Sequence, residues 1–324
     1  MNRSCAPSNA LDRERALPVI LLAGPTAAGK TSLSLELARS LDTHIVNADS
    51  MQVYRFMDIG TAKPSPAERA LVPHHLLDVA DPDEQFDAVR YADTARPVVE
   101  SLHRIKKIPL VVGGTGLYMK VLTRGICSGP SSDPELKARL LDEEKTGGLP
   151  LLYSELERID PEAAARIHQN DRQRILRAVE VFRLTGVPLS VQQKRHGFDE
   201  ELFSTLKIFI FRDREELYRR IDLRVDRMIE EGLKEEVARL LDMGYGPDLK
   251  PMQSLGYKQM AQHLLGACDL DRAIYLIKRD TRHYAKRQLT WFRADPAFQW
   301  FHAEDCSGIL AWIAGRLEEE RSGA

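Results

Sequence analysis

Apolar residues in this chain fall first into short, continuous runs. Val19–Ala23, His44–Ala48, Ile108–Val112, Leu206–Phe211 and Phe298–Phe301 are each long enough for one buried strand and too short for a helix. Between them the apolar spacing lengthens to three or four, as in Ser32–Leu41 and in a long stretch from Glu215, which predicts amphipathic helices. Strands alternating with helices predict an α/β fold built on a parallel sheet flanked by helices. More than ninety residues separate the third and fourth strands, whereas a single crossover takes a dozen or more. That interval opens with the turn-rich run Cys127–Pro134 and continues as helical segments carrying Lys and Arg. The pattern therefore predicts a solvated lead-in over 1–15, a core over 16–127 and 206–324, and an inserted all-helical domain over 128–205.

Composition narrows the class. A chain of 324 residues, 43% of them apolar, buries roughly three quarters of its unfolded surface and needs no covalent staple. This excludes a disulfide-framed miniprotein and a disordered chain. No apolar run reaches the ~18 residues of a spanning helix, and residues 1–15 lack the apolar stretch of a signal peptide, so no membrane association is expected. Cys5, Cys127, Cys268 and Cys306 show no metal-ligand spacing and fit a reducing, cytoplasmic setting. The net charge of −2 argues against a uniformly basic nucleic-acid binder, but allows positive charge gathered on one face.

Gly24-Pro25-Thr26-Ala27-Ala28-Gly29-Lys30-Thr31 has the GxxxxGK[ST] spacing of a P-loop, follows the first strand and opens the first helix. Its two glycines let the backbone amides curl around a phosphate, and the helix dipole points its positive end at the same place. Lys30 adds a charge, and the Thr31 hydroxyl is a candidate Mg²⁺ ligand. The motif predicts a di- or triphosphate ligand without choosing between them. The second strand ends in Asn47-Ala48-Asp49-Ser50. Because ligands in open α/β sheets sit beyond the carboxyl ends of the strands, Asp49 is placed beside the loop, as a general base, as an outer ligand to Mg²⁺ through water, or as a helix cap. The polar loops Asp58–Pro64 and Gly113–Gly116 fall at the same edge, while His74 and His75 read equally well as loop packing.

Positive charge gathers in two places. In Asn170–Glu180, Asp171 is a cap, Gln173, Arg174 and Arg177 share one face, and Ile175, Leu176 and Val179 turn inward. Lys278–Arg293 holds six Lys/Arg interleaved with His283, Tyr284, Trp291 and Phe292. Those are ingredients of single-stranded RNA recognition, although the aromatics are expected to pack inward.

Taken together, GPTAAGKT (24–31), NADSMQVY (47–54), MDIGTAKP (57–64), GGTGLY (113–118), IHQNDRQRILRAVEV (167–181), RIDLRVDRM (220–228), SLGYK (254–258) and TRHYAKRQLTWFR (281–293) resemble the bacterial tRNA dimethylallyltransferases, or tRNA isopentenyltransferases. The resemblance implies a P-loop NTPase-like core, a helical insertion that holds the anticodon stem-loop, and transfer of a dimethylallyl group from its diphosphate to N6 of adenosine 37. It implies Mg²⁺ as cofactor and no use of ATP, and fits a cytoplasmic enzyme; a monomer is expected. Asp49, Thr115, Lys30 and Arg224 become the catalytic candidates, and residues 24–31 the diphosphate site. Candidates for contact with tRNA are Asp49, Ser50, Met51 and Gln52; Lys137, where the family has Arg; Gln173, Arg174, Ile175, Leu176 and Arg177; and Gln253, Ser254, Leu255, Gly256, Tyr257 and Lys258. An exocyclic adenine amine is a weak nucleophile, so attack on the allylic carbon needs a stabilised leaving diphosphate and a proton acceptor. An aspartate carboxylate, ionised at pH 7, suits the second task. The competing readings are a small-molecule P-loop kinase, which would consume ATP, an isopentenyltransferase acting on free adenylate, which would not need the Gln173–Arg177 face, and a non-enzymatic P-loop switch or RNA-binding module, which would leave Asp49 idle.

Overall fold

A computed structural model describes residues 17–125, 133–196 and 201–322. The expected lead-in over 1–15 and most of the turn run 127–134 lie outside them. In chain order the elements are β1 (Val19–Ala23), α1 (Lys30–Ser40), β2 (Ile45–Asn47), α2 (Pro66–Leu71), β3 (His74–His75), α3 (Ala88–Arg104), β4 (Leu110–Gly113) and α4 (Gly116–Arg124). Helices α5 (Pro134–Ile159), α6 (Pro161–Arg166), α7 (Arg172–Thr185) and α8 (Leu189–His196) follow. The chain closes with β5 (Thr205–Phe211), α9 (Arg214–Glu230), α10 (Leu233–Asp242), α11 (Tyr257–Leu264), α12 (Leu270–Arg293), β6 (Gln299–His302) and α13 (Cys306–Ser322).

The chain forms two compact units, residues 1–123 with 202–324, and residues 124–201. The division falls about four residues before the expected 128–205 at each end, because Leu202 already donates a backbone hydrogen bond to Thr123 and β5 begins at Thr205.

The first unit is built on a six-stranded sheet in the order β3-β2-β4-β1-β5-β6, parallel throughout. The five expected strands are present; β1 has the expected bounds, and the other four shift by one or two residues at one or both ends. The sixth, His74–His75, has only two residues and no alternating apolar pattern, so its pairing with Ile45 and Val46 could not be read from the chain. It corrects the loop reading of these histidines. Every residue of β1 is buried, as parallel strands covered on both faces require. One face packs Ile20, Leu22, Ile208 and Ile210 on Leu33 and Leu37 of α1 and on Ile309 and Ile313 of α13. A parallel sheet brings the carboxyl ends of β1, β2 and β4 to one edge.

The second unit has its own core of Leu136, Leu140, Leu152, Leu156, Ile175 and Val179. Helix α7 begins where expected, with the Asp171 carboxylate accepting from the Arg174 amide. Asp160, buried, caps α6 through the Ala163 amide and also accepts from the Ser190 amide at the start of α8.

Candidate active site: a cationic cleft at the sheet edge

The loop 24–31 leaves β1 and enters α1 through Gly29, whose φ of 107° lies in the left-handed region, open to glycine at no cost. No side chain caps α1, so its first-turn amides are left for a ligand. The Lys30 ammonium folds back onto the carbonyls of Gly24 (2.8 Å) and Pro25 (2.9 Å). Two arginines brace the loop from outside, Arg212 through the Ala28 carbonyl (2.8 Å) and Arg220 through that of Ala27 (3.1 Å).

Helix α9 supplies further cations. Leu217, Ile221 and Met228 form its buried face; Arg220, Arg224 and Arg227 fall on the adjacent strip. That strip, with Thr26, Ala27, Gly29, Lys30, Thr31, Asp49, Gln52, Tyr284 and Gln288, lines a cavity of about 1050 Å³. Among the described residues, Lys30, Arg220 and Arg224 face this space without forming an ion pair to any carboxylate. With seven Lys/Arg against five Asp/Glu among its lining residues, the cavity carries an excess of positive charge. Burial pushes the Lys30 pKa down to about 8, with Asp49 opposing that shift and Arg224 adding to it. Burial also lowers the Arg224 pKa, against the pull of Asp49. Both cations are poised to gain from an anionic ligand.

Asp49 stands beyond β2. Its amide donates to the Asn47 side chain, and its carboxylate accepts from the Met51 amide (2.9 Å), fixing one oxygen. The cap reading is thus realised in a short turn, and the residue faces the cleft as well. Thr115, beyond β4, accepts from the Ser50 amide at 3.0 Å, while its own amide donates to the Ala48 carbonyl. Gly113 is required here, since a Cβ would lie 2.1 Å from the Ala48 carbonyl oxygen. The two loops are therefore stitched together at the residues on either side of Asp49. Tyr284 of α12 completes this wall, and burial together with Asp49 raises its pKa.

The loop after β2 is positioned by a group that sequence reasoning missed. Glu236 of α10, 1% exposed, accepts from the amides of Asp58 (2.9 Å), Ile59 (2.8 Å) and Gly60 (3.1 Å) and from the Tyr257 hydroxyl (2.6 Å). One residue further on, the Thr61 carbonyl accepts from both Gln52 and Arg224, each at 3.2 Å. Glu236 lies in an ordinary helical pattern, so nothing in the chain marked it.

Other expectations are corrected. Tyr257 is fully buried and spends its hydroxyl on Glu236, so its side chain supports the 58–61 loop and cannot meet RNA. Ile175 is fully buried in the helical unit's core and Leu176 packs against it, leaving Gln173, Arg174 and Arg177 as that helix's outward groups. Arg177 pairs with the buried Glu180, and Lys137 is exposed on α5. In α12 the basic run is partly spent on α9, with Arg282 on Asp222 and Lys278 on Asp226. Its aromatics divide: Phe292 is buried, Tyr284 reaches the cleft, and His283 and Trp291 are exposed. Gln253 and Lys258 are exposed, Ser254 and Leu255 half-buried and Gly256 buried. Arg220 and Gln288 were also missed, although each sits four residues from a visible neighbour, Arg224 and Tyr284, on the same helical face.

An anion cradle at the end of β1, with an ordered carboxylate across the cleft, defines a P-loop-type α/β protein built to act on a phosphorylated ligand. The IPP transferase family model matches residues 52–295, and the chain belongs to that family. It is 61% identical to the tRNA dimethylallyltransferase of Syntrophobacter fumaroxidans over 92% of this chain and 87% of that one. With the Geobacter sulfurreducens tRNA dimethylallyltransferase the identity is 51%, over 87% and 91%. Its fold is similar to the crystal structure of Bacillus halodurans tRNA isopentenylpyrophosphate transferase, with a TM-score of 0.71 and 39% identity over 94% of this chain and 98% of that one. It is also similar to a eukaryotic dimethylallyltransferase captured acting on tRNA, with a TM-score of 0.74 and 31% identity over 90% and 75%.

Proposed function

We propose that this chain transfers the dimethylallyl group of dimethylallyl diphosphate to N6 of adenosine 37 in tRNA, releasing diphosphate. The relatives' activity supports the reading, and one observation carries it: Lys30, Arg220, Arg224 and Asp49 line one cavity. The diphosphate sits in the loop 24–31 at the start of α1, with Lys30 and Arg224 against its oxygens. As the bond from allylic carbon to oxygen breaks, negative charge grows on the leaving group where the cations are already fixed, so the barrier falls without reorganisation. The adenine amine attacks the same carbon, and Asp49 takes the proton it sheds. Thr115 holds the Ser50 backbone and hence the carboxylate's turn.

Mg²⁺ fits this donor set. The Thr31 hydroxyl lines the cleft, and the ion is commonly held by one or two protein oxygens plus substrate phosphates, which leaves Asp49 free to take the proton. Among the described residues there is no cluster of three or more His, Cys, Asp or Glu that would form an all-protein cage. When bound, the ion would neutralise charge on the leaving diphosphate. The exposed Gln173 and Arg174 and the half-buried Arg177 of the helical unit are proposed to grip the anticodon stem-loop, with Arg as a bidentate phosphate ligand. The protein is proposed to work as a cytoplasmic monomer.

Mass spectrometry of tRNA incubated with the protein and dimethylallyl diphosphate tests the reading. A five-carbon adduct on one adenosine is expected, with none when ATP replaces the diphosphate. Asp49→Ala should slow product formation by at least ~10²-fold while leaving tRNA affinity unchanged. An unmodified tRNA, or a near-wild-type rate for the variant, would overturn the respective assignment.

A further inference from the structure

Gln288 lies in α12, 6% exposed at the edge of the cleft, and spends its amide on two different loops. Its Oε1 accepts from the Thr26 amide at 2.9 Å, within the phosphate loop. Its Nε2 donates to the Gly114 carbonyl at 3.0 Å, next to Thr115. The contact is close enough that a Cβ on Gly114 would fall 2.2 Å from Nε2. The chain of contacts continues from Thr115 Oγ1 to the Ser50 amide and so to the turn that holds Asp49. We propose that Gln288 is a positioning residue that sets the separation between the phosphate loop and the Thr115–Asp49 edge.

The physical case rests on what one planar amide can do. A glutamine offers an acceptor and a donor at a fixed spacing, so satisfying both loops fixes their relative placement. The Thr26 amide is thereby withdrawn from the anion cradle, leaving the remaining loop amides and Lys30 to the ligand. In a displacement reaction the nucleophile and leaving group lie on opposite sides of one carbon. The distance between the groups serving each is then a direct determinant of rate, and a misplacement of about 1 Å costs on the order of 10²-fold. Because Gln288 touches neither reacting atom nor proton, its loss should appear in the chemical step rather than in binding of the diphosphate.

This inference rests on the proposed transferase activity, which wild-type product formation tests separately. Gln288→Met is nearly isosteric and adds no charge to the cleft, but it offers neither the acceptor toward Thr26 nor the donor toward Gly114. The expected result is kcat down by about 10²-fold, with KM for dimethylallyl diphosphate within about threefold of wild type. A kcat within threefold, or a loss carried by KM alone, would overturn the proposal. The double-mutant cycle of Gly114→Ala and Gln288→Ala supplies a second readout, independent of whether the methionine variant folds. Gly114→Ala alone should impair kcat through its collision with Nε2. In the double variant that collision is gone, so its kcat should match that of Gln288→Ala. Multiplicative losses in the cycle would equally overturn the proposal.

Discussion

Glu236→Gln tests whether the buried carboxylate on α10 holds the 58–61 loop. The carboxylate takes four donors, two on each oxygen: the Asp58 and Ile59 amides on Oε2, and the Gly60 amide and Tyr257 hydroxyl on Oε1. A glutamine keeps one oxygen. If that oxygen serves Asp58 and Ile59, two charge-assisted bonds become neutral ones, each weaker by about 1 kcal/mol. The new NH₂ then faces the Gly60 amide, donor against donor, leaving a buried group unsatisfied at about 1–3 kcal/mol. The Tyr257 hydroxyl can rotate to accept, so that contact is retained. The sum is about 3–5 kcal/mol. At roughly 2–4 °C per kcal/mol for a unit of this size, the melting temperature should fall by at least ~6 °C. Tyr257→Phe removes a single bond and should cost about 1.5–3 kcal/mol. Thermal and urea unfolding measure both. Because the Thr61 carbonyl holds Arg224, KM for dimethylallyl diphosphate should also rise in Glu236→Gln. A glutamine variant melting within about 2 °C of wild type, with unchanged KM, would refute the view that this carboxylate organises the loop.

Two other outcomes follow from the electrostatics. With its pKa lowered to about 8, Lys30 in the free protein is protonated below that pH and loses its charge above it. Binding of a diphosphate favours the charged form, so calorimetric affinity for dimethylallyl diphosphate without tRNA should weaken as pH rises through 8, and Lys30→Arg should abolish that decline. Arg174, its side chain 69% exposed and only 3.4 Å from its nearest carboxylate, can be removed without disturbing the helical core. Arg174→Ala should leave melting unchanged and reduce the slope of log affinity for tRNA against log salt by about one, and an unchanged slope would remove it from the RNA contact. Arg177→Ala is a poorer probe, because its partner Glu180 is buried.

The local rules of the chain determined much of this protein. Continuous apolar runs marked five strands, and the GxxxxGK[ST] spacing located the anion cradle, because both signals are carried by neighbours in sequence. The carboxyl-edge rule for parallel sheets then placed Asp49 beside that cradle before any contact was known. Tertiary structure decided the rest. The edge strand His74–His75 exists only because β2 offers it a partner. Glu236, Gln288 and Arg220 act across 176–178, 262 and 193 residues of chain, at separations where no periodicity links a side chain to the backbone it holds. The same limit misassigned Tyr257 to RNA. Its motif was visible, but whether the hydroxyl points to solvent or to a buried carboxylate depends on how α10 packs beside α11, a question settled by shape and burial rather than by spacing.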